Sequence, residues 1–272
     1  MTLQDDPGFA LLVRQLAGHH LPPLDMYKDR CLQRRLAVRM RACGVSTFGE
    51  YARLLERDPG EVSRLLAALT INVTQFFRNP EAWSRLAVEL DTIARGRVEP
   101  FTAWSAGCAS GEEPYTLAML LATAWETAGR PAAPPLVRID ATDVDEACLA
   151  TARAAVYPPS SFREAPPDAV GRWAAVEGEG YRLNPPIRSL VRVLRHDLGR
   201  DLPPAPPYDL VVCRNVVIYF ERETQERLFR QFAEGLKPGG LLFLGKVEML
   251  YGPARDHFEP VDHRERLYRK AA

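Results

Sequence analysis

Apolar positions along this chain change their rhythm near residue 96. Before that point they recur at helical spacing. In "MYKDRCLQRRLAVRMRACG", Leu32, Leu36, Met40 and Cys43 form a stripe, with Arg30, Arg34 and Arg41 on the opposite side. "FALLVRQLAG", "STFGEYARLLERDPG", "EVSRLLAALTINV" and "PEAWSRLAVELDTIAR" read as further helices, the second of them opened by a hydroxyl cap with a nearby glutamate. This pattern predicts an all-helical module over residues 1–95. From "GRVEP" (96–100) onward, short apolar runs alternate with helical segments. Strands are predicted at 100–105, 135–143, 189–198, 208–215 and 239–245, and helices at 113–127, 144–154 and 223–236. The fold class is therefore α/β, an open and mainly parallel sheet over 96–272 preceded by a small helical domain. Six prolines between Pro158 and Pro186, with Gly178 and Gly180, make 156–188 a loop-rich excursion.

A sheet of this kind binds its ligand beyond the carboxyl ends of its strands. "WSAGCASGEEPY" (104–115) lies at the first such end, where a strand passes through a glycine turn into a helix. A phosphate would meet Glu112 and Glu113 there, and the loop lacks both the Lys-Ser/Thr ending of a P-loop and the spacing of a dinucleotide fingerprint. A ligand with a cation suits these acids. "ATDVD" ends the second strand with Asp143 and Asp145, placed either to cap the next helix or to bind ribose hydroxyls. "RHDL" ends the third with Asp197. "CRNVVIYF" ends the fourth, and its Arg214-Asn215 pair interrupts an apolar run where burial is costly without partners. S-adenosylmethionine fits this set. Its ammonium can meet Glu112 or Glu113, the turn with Gly107 and Gly111 permits close approach, and Asp143 can take the ribose. A second polar cluster threads "TINVTQFFRNP" (70–80), where Asn72, Thr74 and Arg78 alternate with apolar residues. It reads as an interhelical loop or, with an anionic ligand nearby, as a clamp formed by Arg78.

Composition narrows the class. The chain has 272 residues, 46% of them apolar, and its 35 basic and 35 acidic side chains give no formal net charge. That balance argues against a nucleic-acid partner. The five cysteines are widely spaced, without metal-ligand pairing, which predicts free thiols in a reducing compartment and no metal. No long apolar run suggests a signal peptide or membrane insertion, so the expected location is the cytoplasm.

"INVTQFFR", "WSAGCASGEEPY", "ATDVD", "RHDL", "YDLVVCRNVVIYF" and "LKPGGLLFLGKVE", in that order, resemble the chemotaxis receptor methyltransferase (CheR) family. The resemblance runs over nearly the whole chain, to Tyr268. It implies a helical N-terminal domain and a Rossmann-like methyltransferase domain with the cofactor between them, and a small inserted β-subdomain near 177–193. It implies S-adenosylmethionine as cofactor, S-adenosylhomocysteine as product, and no metal. By resemblance Asn72, Thr74 and Arg78 are N-terminal cofactor and active-site residues, and Gly107 belongs to the cofactor loop. Glu113 holds the methionyl group, Asp143 the ribose, and Asp197 with Leu198 the adenine side. Cys213, Arg214 and Asn215 follow as a group at the next strand end. Arg78 and Tyr219 would hold the acceptor glutamate.

The implied reaction forms glutamate methyl esters on the cytoplasmic helical bundle of a chemoreceptor, adapting its signalling, with recruitment to membrane-bound receptors rather than insertion. The helix around Arg30, Arg34, Arg35, Arg39 and Arg41 then reads either as a solvated helix face or as a surface that meets an acidic receptor. A glutamate acceptor, with a reference pKa of about 4.3, is already ionised and needs no general base. Alternatives are a methyltransferase for another substrate and a non-catalytic S-adenosylmethionine-binding scaffold. Loss of Arg78 or Tyr219 would favour the scaffold, and both are present. Two stretches depart from the family pattern. Lys246 and Val247 replace the usual His-Ser of "LGHSE", and "GRWAAVEG" matches an aromatic-rich segment loosely.

Overall fold

A computed structural model describes residues 6–16, 26–69 and 73–271. The chain divides into two compact units, Met1–Asn72 with Tyr219–Gln225, and Val73–Ile218 with Glu226–Ala272.

In the first unit, α1 (Pro7–Leu16) packs on α3 (Phe48–Arg57), and α2 (Asp29–Ala42) on α4 (Pro59–Leu69). The helical stripe expected from spacing is the buried face of α2, with Leu32, Leu36 and Met40 inside. Thr47 and Glu50 close a capping box at the start of α3, satisfying two helix-end N–H groups reciprocally. Among the described residues of these four helices, Glu61 is the one buried charged side chain. Its carboxylate is 1% exposed and accepts from Arg39 Nε and Nη2 (2.9 and 2.6 Å), Arg64 Nε (2.8 Å) and the Tyr51 hydroxyl (2.7 Å).

The second unit is built on a seven-stranded sheet. Its strands are β1 (Phe101–Ala106), β2 (Val137–Asp143), β6 (Val191–Arg195), β7 (Tyr208–Cys213), β8 (Leu236–Leu244), β9 (Phe258–Asp262) and β10 (Leu267–Lys270), in the order β6-β2-β1-β7-β8-β10-β9. The pairs from β6 to β8 are parallel and β10 runs antiparallel to both neighbours. Helices α6 (Glu112–Thr127) and α7 (Glu146–Ala154) follow β1 and β2, and α10 (Arg222–Gly235) precedes β8. β7 and the second half of β8, from Gly240 to Leu244, are buried throughout, which explains the apolar runs there. Short polar-rich strands such as β9 and β10 gave no comparable signal.

Two boundaries differ from expectation. α5 (Pro80–Gly96), expected in the helical module, belongs to the second unit, because Trp83, Leu86, Leu90 and Ala94 join the sheet core. The small β-subdomain is a separate sheet of β3 (Val156–Tyr157), β4 (Ala174–Glu177) and β5 (Gly180–Leu183), ordered β3-β5-β4. It therefore starts well before residue 177, while 191–195 pair with β2 in the main sheet. The short helices α8 (Ala169–Trp173) and α9 (Pro185–Ser189) flank it. No described helix is long and apolar enough to cross a membrane.

Glu61 supplies a test of the helical unit. Burial alone would raise its pKa, but the hydrogen bonds from Arg39, Arg64 and Tyr51 outweigh that and bring it from 4.5 to about 2. The folded value lies below the unfolded one, so the stability it contributes is complete above pH 4.5 and is lost as pH falls toward 2. Glu61→Gln should cost roughly 2–3 kcal/mol in urea denaturation at neutral pH. The gap between variant and wild type should close on acidification through that window; a gap independent of pH would contradict the assignment.

Candidate active site

Strand order reverses between β1 and β7, since the chain proceeds from β1 outward to β2 and β6 and from β7 outward to β8. The crevice at the carboxyl ends of these two strands is the expected ligand position. The loop after β1 forms its near wall. The N–H groups of Gly107 and Cys108 both donate to the carbonyl of Thr142 (2.8 and 2.9 Å), tying the loop to the end of β2. Gly107 has φ +82°, and a Cβ there would lie 2.6 Å from Val216 Cγ2, so no larger residue fits between this loop and the one after β7.

The two acids of "GEE" have separate fates. Glu112 is 4% exposed and its carboxylate is occupied by the hydroxyls of Ser110 (2.7 Å) and Ser161 (3.3 Å). Glu113 is half-buried and accepts from the Ser105 hydroxyl at 2.9 Å, its one hydrogen-bond partner among the described residues. Desolvation pushes its pKa from 4.5 up to about 7, against the pull of the Arg214 guanidinium. Glu113 is thus a carboxyl short of positive charge. Asp143 is the opposite case. One oxygen accepts from Ala109 N–H (2.8 Å), the other from Val144 and Asp145 N–H (2.8 and 3.0 Å). It organises the glycine loop and keeps about one lone-pair direction for a ligand. Asp145 caps α7 by accepting from Ala147 and Cys148 N–H.

Arg78 sits in a constrained turn. Phe77 and Asn79 on either side have φ of 55° and 61°, a left-handed backbone that asparagine tolerates and that is unfavourable for phenylalanine. The turn is pinned by Phe77 N–H to Thr116 Oγ1 (3.0 Å), Asn79 N–H to Glu164 Oε2 (2.7 Å), and Arg214. Arg214 is 5% exposed, donates to the Arg78 carbonyl (3.0 Å) and Asn79 Oδ1 (3.3 Å), and packs over the rings of Trp83 and Phe243. These partners offset part of the burial cost foreseen from sequence, Nε being buried without a partner, and they make Arg214 a strut beneath Arg78. Arg78 Nη1 itself reaches the Val73 carbonyl at 2.8 Å and leaves the rest of a half-buried guanidinium available.

Of the other expected residues, Thr74 is half-buried in the same segment, and Asn72 lies outside the described residues. Asp197 accepts from Gly199 N–H (2.8 Å) in a local turn, with Leu198 8% exposed beside it. Cys213 is fully buried and burial pushes its thiol pKa up, so it acts as an apolar wall residue. Asn215 adopts φ 63° and its buried Oδ1 has no partner. Tyr219 belongs to the first unit, where its carbonyl accepts from Lys28 N–H at 3.0 Å and the next residue, Phe220, packs on Tyr27 with ring centroids 4.9 Å apart. Sequence reasoning missed Glu248, 2% exposed behind the β7 loop, and Ser105, which selects Glu113's rotamer. The only signal for Glu248 was a lone acid after an apolar strand in "LLFLGKVE".

These residues fit S-adenosylmethionine. Glu113 has one hydroxyl as its hydrogen-bond partner, with Arg214 and Arg78 acting on it only through space. Asn215 Oδ1 lacks a donor, and neither the glycine loop nor the β7 end offers a lysine for a phosphate.

Comparison with known proteins agrees. Residues 72–267 match the family model "CheR methyltransferase, SAM binding domain", and residues 8–70 match "CheR methyltransferase, all-alpha domain". A chemotaxis protein methyltransferase of Listeria monocytogenes is 34% identical over 85% of this chain and 86% of its own. One of Klebsiella aerogenes is 36% identical over 91% and 83%. An uncharacterized 104.1 kDa protein of Rhodobacter capsulatus is 38% identical over 89% of this chain, which spans 25% of that protein's length.

Glu113 must be ionised to pair with an ammonium, and its ligand-free pKa is about 7. Affinity for S-adenosylhomocysteine should therefore rise about tenfold per pH unit below neutrality and level off above it. Glu113→Gln should abolish this slope and weaken binding about 10- to 100-fold. Calorimetric titration at several pH values checks both; a wild-type affinity flat from acid to neutral pH would contradict the assignment.

Proposed function

The chain belongs to the CheR methyltransferase family, and we propose that it methylates glutamate side chains in the cytoplasmic helical bundle of a chemoreceptor, using S-adenosylmethionine. The observation that carries this reading is the half-buried Glu113 carboxyl at the strand-order switch, with one hydroxyl for a partner. It fits a ligand that presents a cation where nucleotides present phosphate. Bound S-adenosylmethionine supplies an electrophilic sulfonium methyl. Glu113 would hold its ammonium, Asp143 its ribose through the remaining lone pair, and Asp197 with Leu198 the adenine side.

The chain's own residues then have a modest chemical task. An acceptor carboxylate is already a nucleophile, and its electron pair forms the new C–O bond as the C–S bond breaks. Sulfur leaves as a neutral thioether, and no proton moves. Catalysis reduces to alignment and exclusion of water. Arg78, fixed between two left-handed residues and braced by Arg214, is the group suited to orient an acceptor carboxylate. Part of its donor set is spent on Val73. The acceptor's negative charge vanishes in the transition state, so a grip on both oxygens would favour the ground state. Tyr219 keeps the orienting part that the family resemblance gives it. The protein works from the cytoplasm, and the ester product removes a negative charge from the receptor.

Incubation with labelled S-adenosylmethionine and chemoreceptor cytoplasmic domains, followed by mapping of base-labile methyl groups, tests the activity. Label on glutamates is expected; binding without transfer to any receptor would favour the scaffold reading. Within this assay Arg78→Ala should lower turnover by about 10²-fold or more while cofactor affinity falls much less. Lysine should rescue poorly, because it keeps the charge and loses the planar fork. Near-normal methylation by Arg78→Ala would remove the clamp from the account.

A further inference from the structure

The segment after β8 reads Gly245, Lys246, Val247, Glu248, Met249, and alternates sharply in exposure. Lys246, Val247 and Met249 face solvent, while Glu248 points inward. Its carboxylate gathers four backbone N–H groups. Oε2 accepts from Gly245 (2.6 Å) and Asn215 (2.9 Å), and Oε1 from Val216 and Val217 (2.9 Å each). Three consecutive N–H groups turned to one side make an anion-binding nest. In many α/β proteins such a concavity at a strand end is offered to a ligand's phosphate. Here the chain fills it with its own carboxylate.

That choice has geometric consequences. Asn215 can hold φ 63° because its N–H is paired in that conformation, and its amide is thereby aimed with Oδ1 unpartnered. Val216, the next residue held, is the one that closes on Gly107 across the switch point. Gly245 has no space for a side chain, since a Cβ would lie 2.7 Å from Glu248 Oε2 and 2.8 Å from Asn215 N. One carboxylate thus sets the loop after β7, and through Val216 its contact with the loop after β1. With four donors on its two oxygens, Glu248 has no lone pair left for chemistry. Burial raises its pKa while the four backbone bonds lower it.

We infer that Glu248 is a positioning residue, which holds Asn215 and Val216 in the arrangement that admits S-adenosylmethionine; this rests on the functional reading above. Lys246 and Val247, the positions that depart from the family pattern, lie on the solvent side of this anchor, with Lys246 Nζ 3.6 Å from the carboxylates of Glu81 and Glu265.

The test compares wild type, Glu248→Gln and Glu248→Asp. Glutamine keeps the shape but turns an NH2 toward backbone donors, which must move away. Well below the melting temperature, with folding checked by circular dichroism, Glu248→Gln should bind S-adenosylhomocysteine roughly 10- to 100-fold more weakly. Its KM for the receptor domain should stay within about threefold, a split that a general loss of stability would not produce. Aspartate keeps the charge and should recover part of the affinity. Folded Glu248→Gln with wild-type affinity, or an equal loss in both constants, would overturn the inference. Hydrogen exchange on the ligand-free wild-type chain judges it independently of any variant's folding. The Asn215, Val216 and Val217 amides should be strongly protected, and fast exchange there would overturn it too. A wild-type chain that bound no S-adenosylhomocysteine would instead sink the underlying reading, leaving the exchange result to decide the role of Glu248 in the loop.

Discussion

A carboxylate carried to the buried end of a strand must find donors or give up its charge. Three acids around the crevice of the second unit, Asp143 and Glu248 buried and Glu113 half-buried, answer it unequally. Asp143 takes three backbone N–H groups and Glu248 takes four. Glu113 takes a single hydroxyl. The two satisfied acids fold the loops around the crevice, and the unsatisfied one faces what enters it. The same arithmetic leaves little for a phosphate. The N–H groups of the loop after β7 are committed to Glu248, and in the glycine loop Ala109 donates to Asp143 while Gly107 and Cys108 donate to the Thr142 carbonyl.

Arg214 shows how the opposite wall is supported. A guanidinium this deeply buried is expensive, and its desolvation lowers its pKa. It is retained over two aromatic rings, with its donors on the carbonyl of Arg78 and the side chain of Asn79. The left-handed backbone on either side of Arg78 is held in place by that brace. Precise placement of one surface-facing arginine therefore depends on a second, buried one 136 positions later in the chain. This suits a reaction whose acceptor needs orientation and no proton transfer.

Much of this was legible in the sequence, and the parts that were not share a cause. The parallel strands announced themselves because both faces of each are buried, and the glycine loop because its acids contradict a phosphate. The residue pattern left Glu112 and Glu113 open and only the family resemblance singled out Glu113; the contacts with Ser110, Ser161 and Ser105 that set the two acids apart are not fixed by spacing. Arg214 drew attention as a buried arginine, but its partners Arg78 and Asn79 lie far away in sequence, so its role as a brace was not legible. α5 carried a helical rhythm shared by both units, so periodicity could not say which core would take Trp83 and Leu86. Glu248 was the least visible. Its role resides in four backbone N–H groups, which no side-chain pattern records.

The central claim is that Glu113 waits as a charge-deficient carboxyl for a cationic group. The most direct measurement is its side-chain 13C chemical shift, followed through a pH titration with and without S-adenosylhomocysteine. Ligand-free, the carboxyl should titrate near pH 7. With the ligand bound it should fall by about two units or more, as an adjacent ammonium requires. A carboxyl that titrated near its ordinary 4.5 in the free protein, and did not move on binding, would contradict the account.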